Sequence, residues 1–175
     1  AWFNVTDIDS YRYLMSLDEP PSMQELRAKL FERGPPNEAA MAGRALHRGL
    51  ELSTYGEHDH VFADERVFTC QQSIPIIVPH IREMRTSKVY RINGMSVRIA
   101  GRVDGLHGTT VYDHKTSSHP LDAEDHWSSY QWRFYLDMLE GERFVWQFLE
   151  LGDPPRDSPY SDDPGTYWIK SVQLL

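Results

Sequence analysis

The stretch 85–116 constrains the fold more than any other part of the chain. Asn93-Gly94 separates two apolar-rich runs, 85–92 and 95–106, and this dipeptide favours the type I′ turn of a two-residue β-hairpin. A second turn signal, His107-Gly108, leads into a third run, 109–115. The reading is an antiparallel meander of three strands. A two-residue loop at 107–108 pairs Asp104 with Val111. Directly opposed residues share a face, as do residues two apart on one strand. Asp104, Val111, Asp113 and Lys115 are therefore expected on one face, whereas a three-residue loop would turn Asp113 and Lys115 away. Two carboxylates and an ammonium on one patch suit a hard cation: the acids hold it, and the lysine orients a water or meets developing charge.

The 175 residues suffice for one domain with a real core and are too few for two comfortable ones. Residues 1–175 are accordingly read as a single domain, with an N-terminal helical segment over 1–35 and a core over 36–175. The lone cysteine, Cys70, excludes an internal disulfide, a multi-cysteine zinc site and a four-cysteine iron–sulfur cluster. No apolar run reaches the length of a membrane span, and no signal-peptide pattern opens the sequence. The expected location is the cytoplasm of a bacterial or phage-infected cell. A net charge of −8 argues against nucleic-acid binding by the whole surface but leaves room for a local basic track.

Thr6 or Asp7 is expected to cap a helix reaching Leu17, stopped by Pro20-Pro21. Ser22 and Glu25 form a capping-box pattern for a helix to Arg33. Asn37 is the expected cap of a helix reaching Thr54, with Ala39, Ala42, Leu46 and Leu50 as its buried stripe. Gly43, His47 and Glu51 form an adjacent stripe, and the missing side chain at Gly43 leaves room for another group below His47. Residues 57–65 read as a polar loop with His58 and His60, and 66–70 and 74–78 as strands. Beyond the meander, a helix is expected from Asp122 or Asp125 to Glu140, with Gln131 and Tyr135 on one face. Its Trp127, Tyr130 and Trp132 serve core packing or base stacking. Strands follow over 143–151 and 166–174, joined by a Pro/Asp/Gly/Ser-rich loop, 152–165.

Four motifs thus occur in order: Gly43-x-x-x-His47 on a helix, Gly101-Arg102-Val103-Asp104 on a strand, Asp113-His114-Lys115-Thr116 on the next, and Gln131-x-x-x-Tyr135 on the following helix. Together they resemble the PD-(D/E)XK nuclease superfamily, and within it the RecB-type nuclease or exonuclease branch, over about residues 39–139. The resemblance implies an α/β (α+β) fold with a restriction-endonuclease-like core. Its element order is αβββαβ, a central mixed sheet that contains the three-strand meander and is flanked by helices. It implies that His47, Asp104, Asp113 and the His114 backbone carbonyl hold one or two Mg²⁺ or Mn²⁺ ions. Asp104, Asp113 and Lys115 would be catalytic. Gln131 and Tyr135, also among the catalytic residues, would steady the site or contact the DNA backbone, and Lys115 would position water and stabilise charge in the transition state. Val103 replaces the proline of the family name, and the cysteines of the iron–sulfur members are absent.

Arg44, Arg48, Arg102 and Arg133 are candidates for contact with DNA phosphates. The function implied is a metal-dependent DNA nuclease, an exonuclease acting on linear DNA ends in recombination, repair or phage DNA processing. Its partners would be recombination or phage replication proteins, with no membrane. The alternatives are a non-catalytic or partner-dependent nucleic-acid-binding module of the same fold, a different metal-dependent hydrolase, and a structural cluster in which Lys115 neutralises Asp113 and Asp104.

Overall fold

A computed structural model describes residues 1–32, 35–70, 75–119, 126–153 and 165–174. The chain opens with a short strand, β1 (Trp2–Asn4), and three helices, α1 (Val5–Met15), α2 (Met23–Phe31) and α3 (Glu38–Leu52). Four short strands follow: β2 (Gly56–His58), β3 (His60–Ala63), β4 (Arg66–Cys70) and β5 (Ile76–Val78). The long hairpin β6 (Ile81–Ile92) and β7 (Met95–His107) then leads into β8 (Thr110–Ser117). Helix α4 (Gln131–Leu139) and strands β9 (Arg143–Gly152) and β10 (Thr166–Leu174) complete the described elements.

Eight strands form one mixed sheet in the order β1-β7-β8-β9-β10-β4-β3, with β6 also on β7. β1–β7, β8–β9 and β10–β4 are parallel and the other pairs antiparallel. β2 and β5 form a separate pair. The loop expected over 57–65 is thus largely strand, because its polar residues lie where only one side is covered: Val61 and Ala63 are buried and His60 and Phe62 exposed.

Caps set the helix starts. Asn37 Oδ1 accepts the Ala40 amide at 2.8 Å, and Ser22 and Glu25 complete their capping box. Asn4, not Thr6 or Asp7, precedes α1, because residues 2–4 are drawn into the sheet beside β7. The helix expected from Asp122 or Asp125 is described as α4 from Gln131; positions 120–125 lie outside the described residues, as do 154–164 of the loop before β10.

The sheet is covered on both faces. Ala42, Leu46 and Leu50 of α3 pack with Phe68, Leu149 and Ile169 on one face. Val5, Ile99, Val103, Val111 and Tyr135 form the core between the other face and helices α1 and α4. Each fully buried aliphatic side chain contributes about 1.5–3 kcal/mol.

Two departures from the expected hairpins position the site. First, His107 pairs with Thr110 and Leu106 with Val111, so the turn is Gly108-Thr109 rather than 107–108. Gly108 supplies the positive φ, +58°, that the first turn residue needs. Second, alternation breaks in the middle of the hairpin. Val103 and Leu106, three residues apart, both pack in the α4-side core. On the paired strand Glu83 has φ +53°, and Arg82 beside it donates from Nε to the Glu51 carbonyl on α3 at 2.9 Å. The ladder keeps its register on either side, Arg82 opposite Gly105 and Met84 opposite Val103. The kink therefore falls on the opposed residues Glu83 and Asp104. Carried on from His107–Thr110, the register would set Asp104 opposite Asp113; at the kink Asp104 leaves that face and meets the His114 amide and His47 instead.

Candidate metal centre and nucleic-acid cleft

β7 has three partners. β6 runs along one edge, while β1 (at 98–100) and β8 (at 105–107) share the other. Between them β7 and β8 separate into a fork, and backbone groups freed there need other partners. Asp104 supplies one: its Oδ2 accepts the His114 amide at 2.7 Å, where a ladder bond would otherwise run. Tyr135 supplies another, its hydroxyl donating to the Arg102 carbonyl at 2.9 Å. Gly101 makes this possible, since a Cβ there would lie 2.5 Å from the Tyr135 ring. The space beside Gly43 is filled by the Thr116 side chain, 2.6 Å from where a Cβ would sit. That contact draws α3 against the end of β8.

The fork opens into a cleft of about 1600 Å³ between α3 and the hairpin. His47, Asp104, Asp113, His114, Lys115, Gln131 and Tyr135 all reach it. His47 Nδ1 lies 3.8 Å from Asp104 Oδ2. Donor atoms of His47, Glu83 and Asp104 lie within 4.8 Å of one another. Among the described residues this is the group that meets metal-binding spacing, and it contains Glu83 in place of the expected Asp113. Sequence reading missed Glu83 because it began the meander at 85, and β6 starts at Ile81. The signal was present in the register, which sets Glu83 opposite Asp104.

Asp113 is drawn the other way. Its Oδ1 accepts from Gln131 Nε2 at 2.8 Å, and its Oδ2 is 2.5 Å from Lys115 Nζ. Gln131 Oε1 accepts from the same ammonium at 3.1 Å. Burial raises the Asp113 carboxyl above the usual range, opposed chiefly by the Lys115 charge. Burial disfavours the charged Lys115, yet Asp113 beside it holds its pKa above the ordinary lysine value. Burial likewise raises Glu83, opposed by Arg102, whose Nε is 2.7 Å from Glu83 Oε2. His114 is pushed down to about 3 by burial and then by His47, and stays neutral against Gln147 at 3.1 Å.

The donor set fits a divalent cation. Glu83 Oε2 and Asp113 Oδ2 are buried without an aligned hydrogen bond, each facing only a neighbouring cation. Carboxylate oxygens with one imidazole suit Mg²⁺ or, better, Mn²⁺.

A profile of the PD-(D/E)XK nuclease superfamily matches residues 11–150. The chain belongs to this superfamily. No curated protein matches it in sequence. The solved structure of SSO0001 superposes with a TM-score of 0.54 at 18% identity, over 99% of this chain. That likeness concerns the fold, and the chain spans 65% of the length of SSO0001. The restriction-endonuclease-like arrangement expected of the superfamily is the one observed, a mixed sheet between α3 and α4 with the fork at its centre.

Of the arginines expected near DNA, Arg44, Arg48 and Arg102 line the cleft. Arg48 is paired with Glu51 one turn on. Arg133 does not reach the cleft. It lies over the rings of Trp132 at 4.9 Å and Tyr130 at 5.7 Å, because a residue two positions from Gln131 points to the other side of α4. Trp127 packs edge-on against Trp146 at 5.3 Å, also outside the cleft lining. Among the described residues no helix is long and apolar enough to cross a membrane.

Proposed function

We propose that this chain is a divalent-metal-dependent deoxyribonuclease of the RecB-type branch, an exonuclease hydrolysing phosphodiester bonds at DNA ends. The observation that carries the reading is the meeting of His47, Glu83 and Asp104 within 4.8 Å at the fork, beside the Asp113–Lys115–Gln131 group. His47, Glu83 and Asp104 would hold Mg²⁺ or Mn²⁺, with Asp113 and the His114 backbone carbonyl as the further donors that the family resemblance implies. A bound ion supplies neutralisation of the scissile phosphate and a more acidic water. Lys115, kept protonated by Asp113, meets the negative charge that grows on the phosphate oxygens. Gln131 fixes both partners, and Tyr135 holds the β7 backbone beside them. Arg44 and Arg102 reach the cleft to meet flanking phosphates. Residues 1–175 act as one nuclease domain in this reading. Its setting is the cytoplasm of a bacterial or phage-infected cell, with recombination, repair or phage replication proteins as partners.

The second reading is a non-catalytic binding module. The 2.5 Å Lys115–Asp113 pair favours it, because an ammonium already neutralises the buried acid. One experiment separates them. End-labelled single- and double-stranded linear DNA and circular DNA are incubated with the protein and Mn²⁺, Mg²⁺ or EDTA. Metal-dependent loss of linear DNA alone is expected, and cutting of circles would instead mark an endonuclease. No cutting, with no Mn²⁺ binding by calorimetry, would leave the binding module. Lys115→Ala is expected to retain metal and slow cleavage by about 10²-fold or more, the scale of a lost preorganised charge contact.

A further inference from the structure

Beyond the kink, residues of β6 and β7 that share the α3-side face with Glu83 and Asp104 follow from the register. Arg85 is opposite Arg102, Val89 opposite Arg98, and Arg91 opposite Ser96. Lys88 and Tyr90, on the other face, bond Asp137 of α4, which fixes which side is which. Arg85, Arg91, Arg98 and Arg102 are all exposed. Arg85, Arg91 and Arg98 have no side-chain ion pair or hydrogen bond among the described residues. The acids on this face, Glu83 and Asp104, are those of the metal group. On a chain of net charge −8 this is a concentrated cationic strip.

β1 extends the same face. Trp2 pairs with Arg98 and Asn4 with Ala100, so the Trp2 ring lies beside the arginines, 61% exposed. Trp2, Arg85 and Ser87 line the far end of the cleft that holds His47 and Asp104. Its volume, about 1600 Å³, exceeds the roughly 300–1000 Å³ of small-molecule pockets and suits a segment of polymer. Arg98 is about 20 Å from Asp104 along β7 at ~3.4 Å per residue, a span of several nucleotides. Spaced cations with an exposed aromatic beside them are the requirements for holding single-stranded nucleic acid.

We propose that this hairpin face is a binding track for single-stranded DNA, on which Arg85, Arg91 and Arg98 hold phosphates and Trp2 stacks on a base. The track rests on the nuclease reading for what lies at its end, the fork, and on charge and register for itself.

The test is binding of a fluorescein-labelled oligo-dT 12-mer, and of a duplex of equal length, to the full chain in EDTA at several salt concentrations. The Arg85→Ala/Arg98→Ala pair is expected to weaken the single strand by about 10-fold or more. It should also flatten the log K against log salt slope by about 1.4, at ~0.7 per lost phosphate contact. Trp2→Ala is expected to weaken the single strand by about 5-fold or more, leave the slope unchanged and spare the duplex. Arg27→Ala, an exposed charge on α2, should change nothing. Wild-type affinity and slope in the arginine pair, or equal weakening of duplex and single strand by Trp2→Ala, would overturn the track. Unchanged thermal midpoints exclude misfolding in these exposed-site variants. Reduced binding with no cleavage by the wild type would sink the nuclease reading alone. Normal cleavage with unaltered binding in the variants would sink the track alone.

Discussion

Glu83 is the residue on which the site turns. It stands in a left-handed conformation that side chains other than glycine rarely adopt, opposite Asp104 and paired with Arg102. Glu83→Gln is expected to weaken Mn²⁺ binding by about 10-fold or more in calorimetry, while Glu51→Gln, on the acid held by Arg48, leaves it nearly unchanged. The pH dependence has a definite sign. Burial raises the Glu83 carboxyl, so protons compete with the cation at a higher pH than at an ordinary glutamate. Metal affinity should therefore begin to fall above the usual glutamate range as pH drops, and Glu83→Gln should lessen that early fall, the Asp113 carboxyl being raised by burial as well. In the metal-free protein the same shift works oppositely. The folded state holds this proton more tightly than the unfolded chain, so the Glu83 contribution to stability grows as pH falls and is lost as pH rises through the raised value.

At the scale of elements, the fork is kept open by packing rather than by loops. Gly101→Ala is expected to push Tyr135 off the Arg102 carbonyl, since the added methyl would meet the ring at 2.5 Å. Overpacking and the unpaired carbonyl together cost about 1–3 kcal/mol, readable as a lower urea midpoint, with slower cleavage because α4 also carries Gln131. The longer elements were legible in the sequence. Asn93-Gly94 forms its turn with φ of +49° and +80°, and the Asn37 and Ser22 caps stand where their spacing put them. The four motifs fall on the element types expected of them, His47 on α3, Asp104 on β7, Asp113 and Lys115 on β8, and Gln131 and Tyr135 on α4. What was not legible needed tertiary information. The Gly108-Thr109 turn moves each pairing by two residues and leaves the faces unchanged, whereas the paired kink changes which side chains share a face, and nothing local marks the kink. β1, β2 and β3 were missed because such short strands are made by their neighbours, not by their own pattern.

For the whole molecule, Glu83 and Asp113 are paired with Arg102 and Lys115 at the fork while Asp104 faces His47, so the folded chain alone presents this donor group to a cation. A ligand that binds only the folded chain stabilises it by about 2.7 kcal/mol at one hundred times its dissociation constant. Saturating Mn²⁺ is therefore expected to raise the thermal midpoint by about 5–10 °C for a chain of this size. EDTA should reverse the rise, and Asp104→Asn should abolish it, as read by differential scanning calorimetry.

The clasp at Asp137 has a mechanical consequence. Tyr90 and Lys88 of the hairpin both bond this one side chain, at 2.6 and 2.9 Å. Asp137 belongs to the nine-residue helix whose first residue, Gln131, braces the Lys115 ammonium. The hairpin and the Lys115 ammonium are thus both tied to one nine-residue helix, so a change in the hairpin's seat at Asp137 is expected to alter the setting of Lys115.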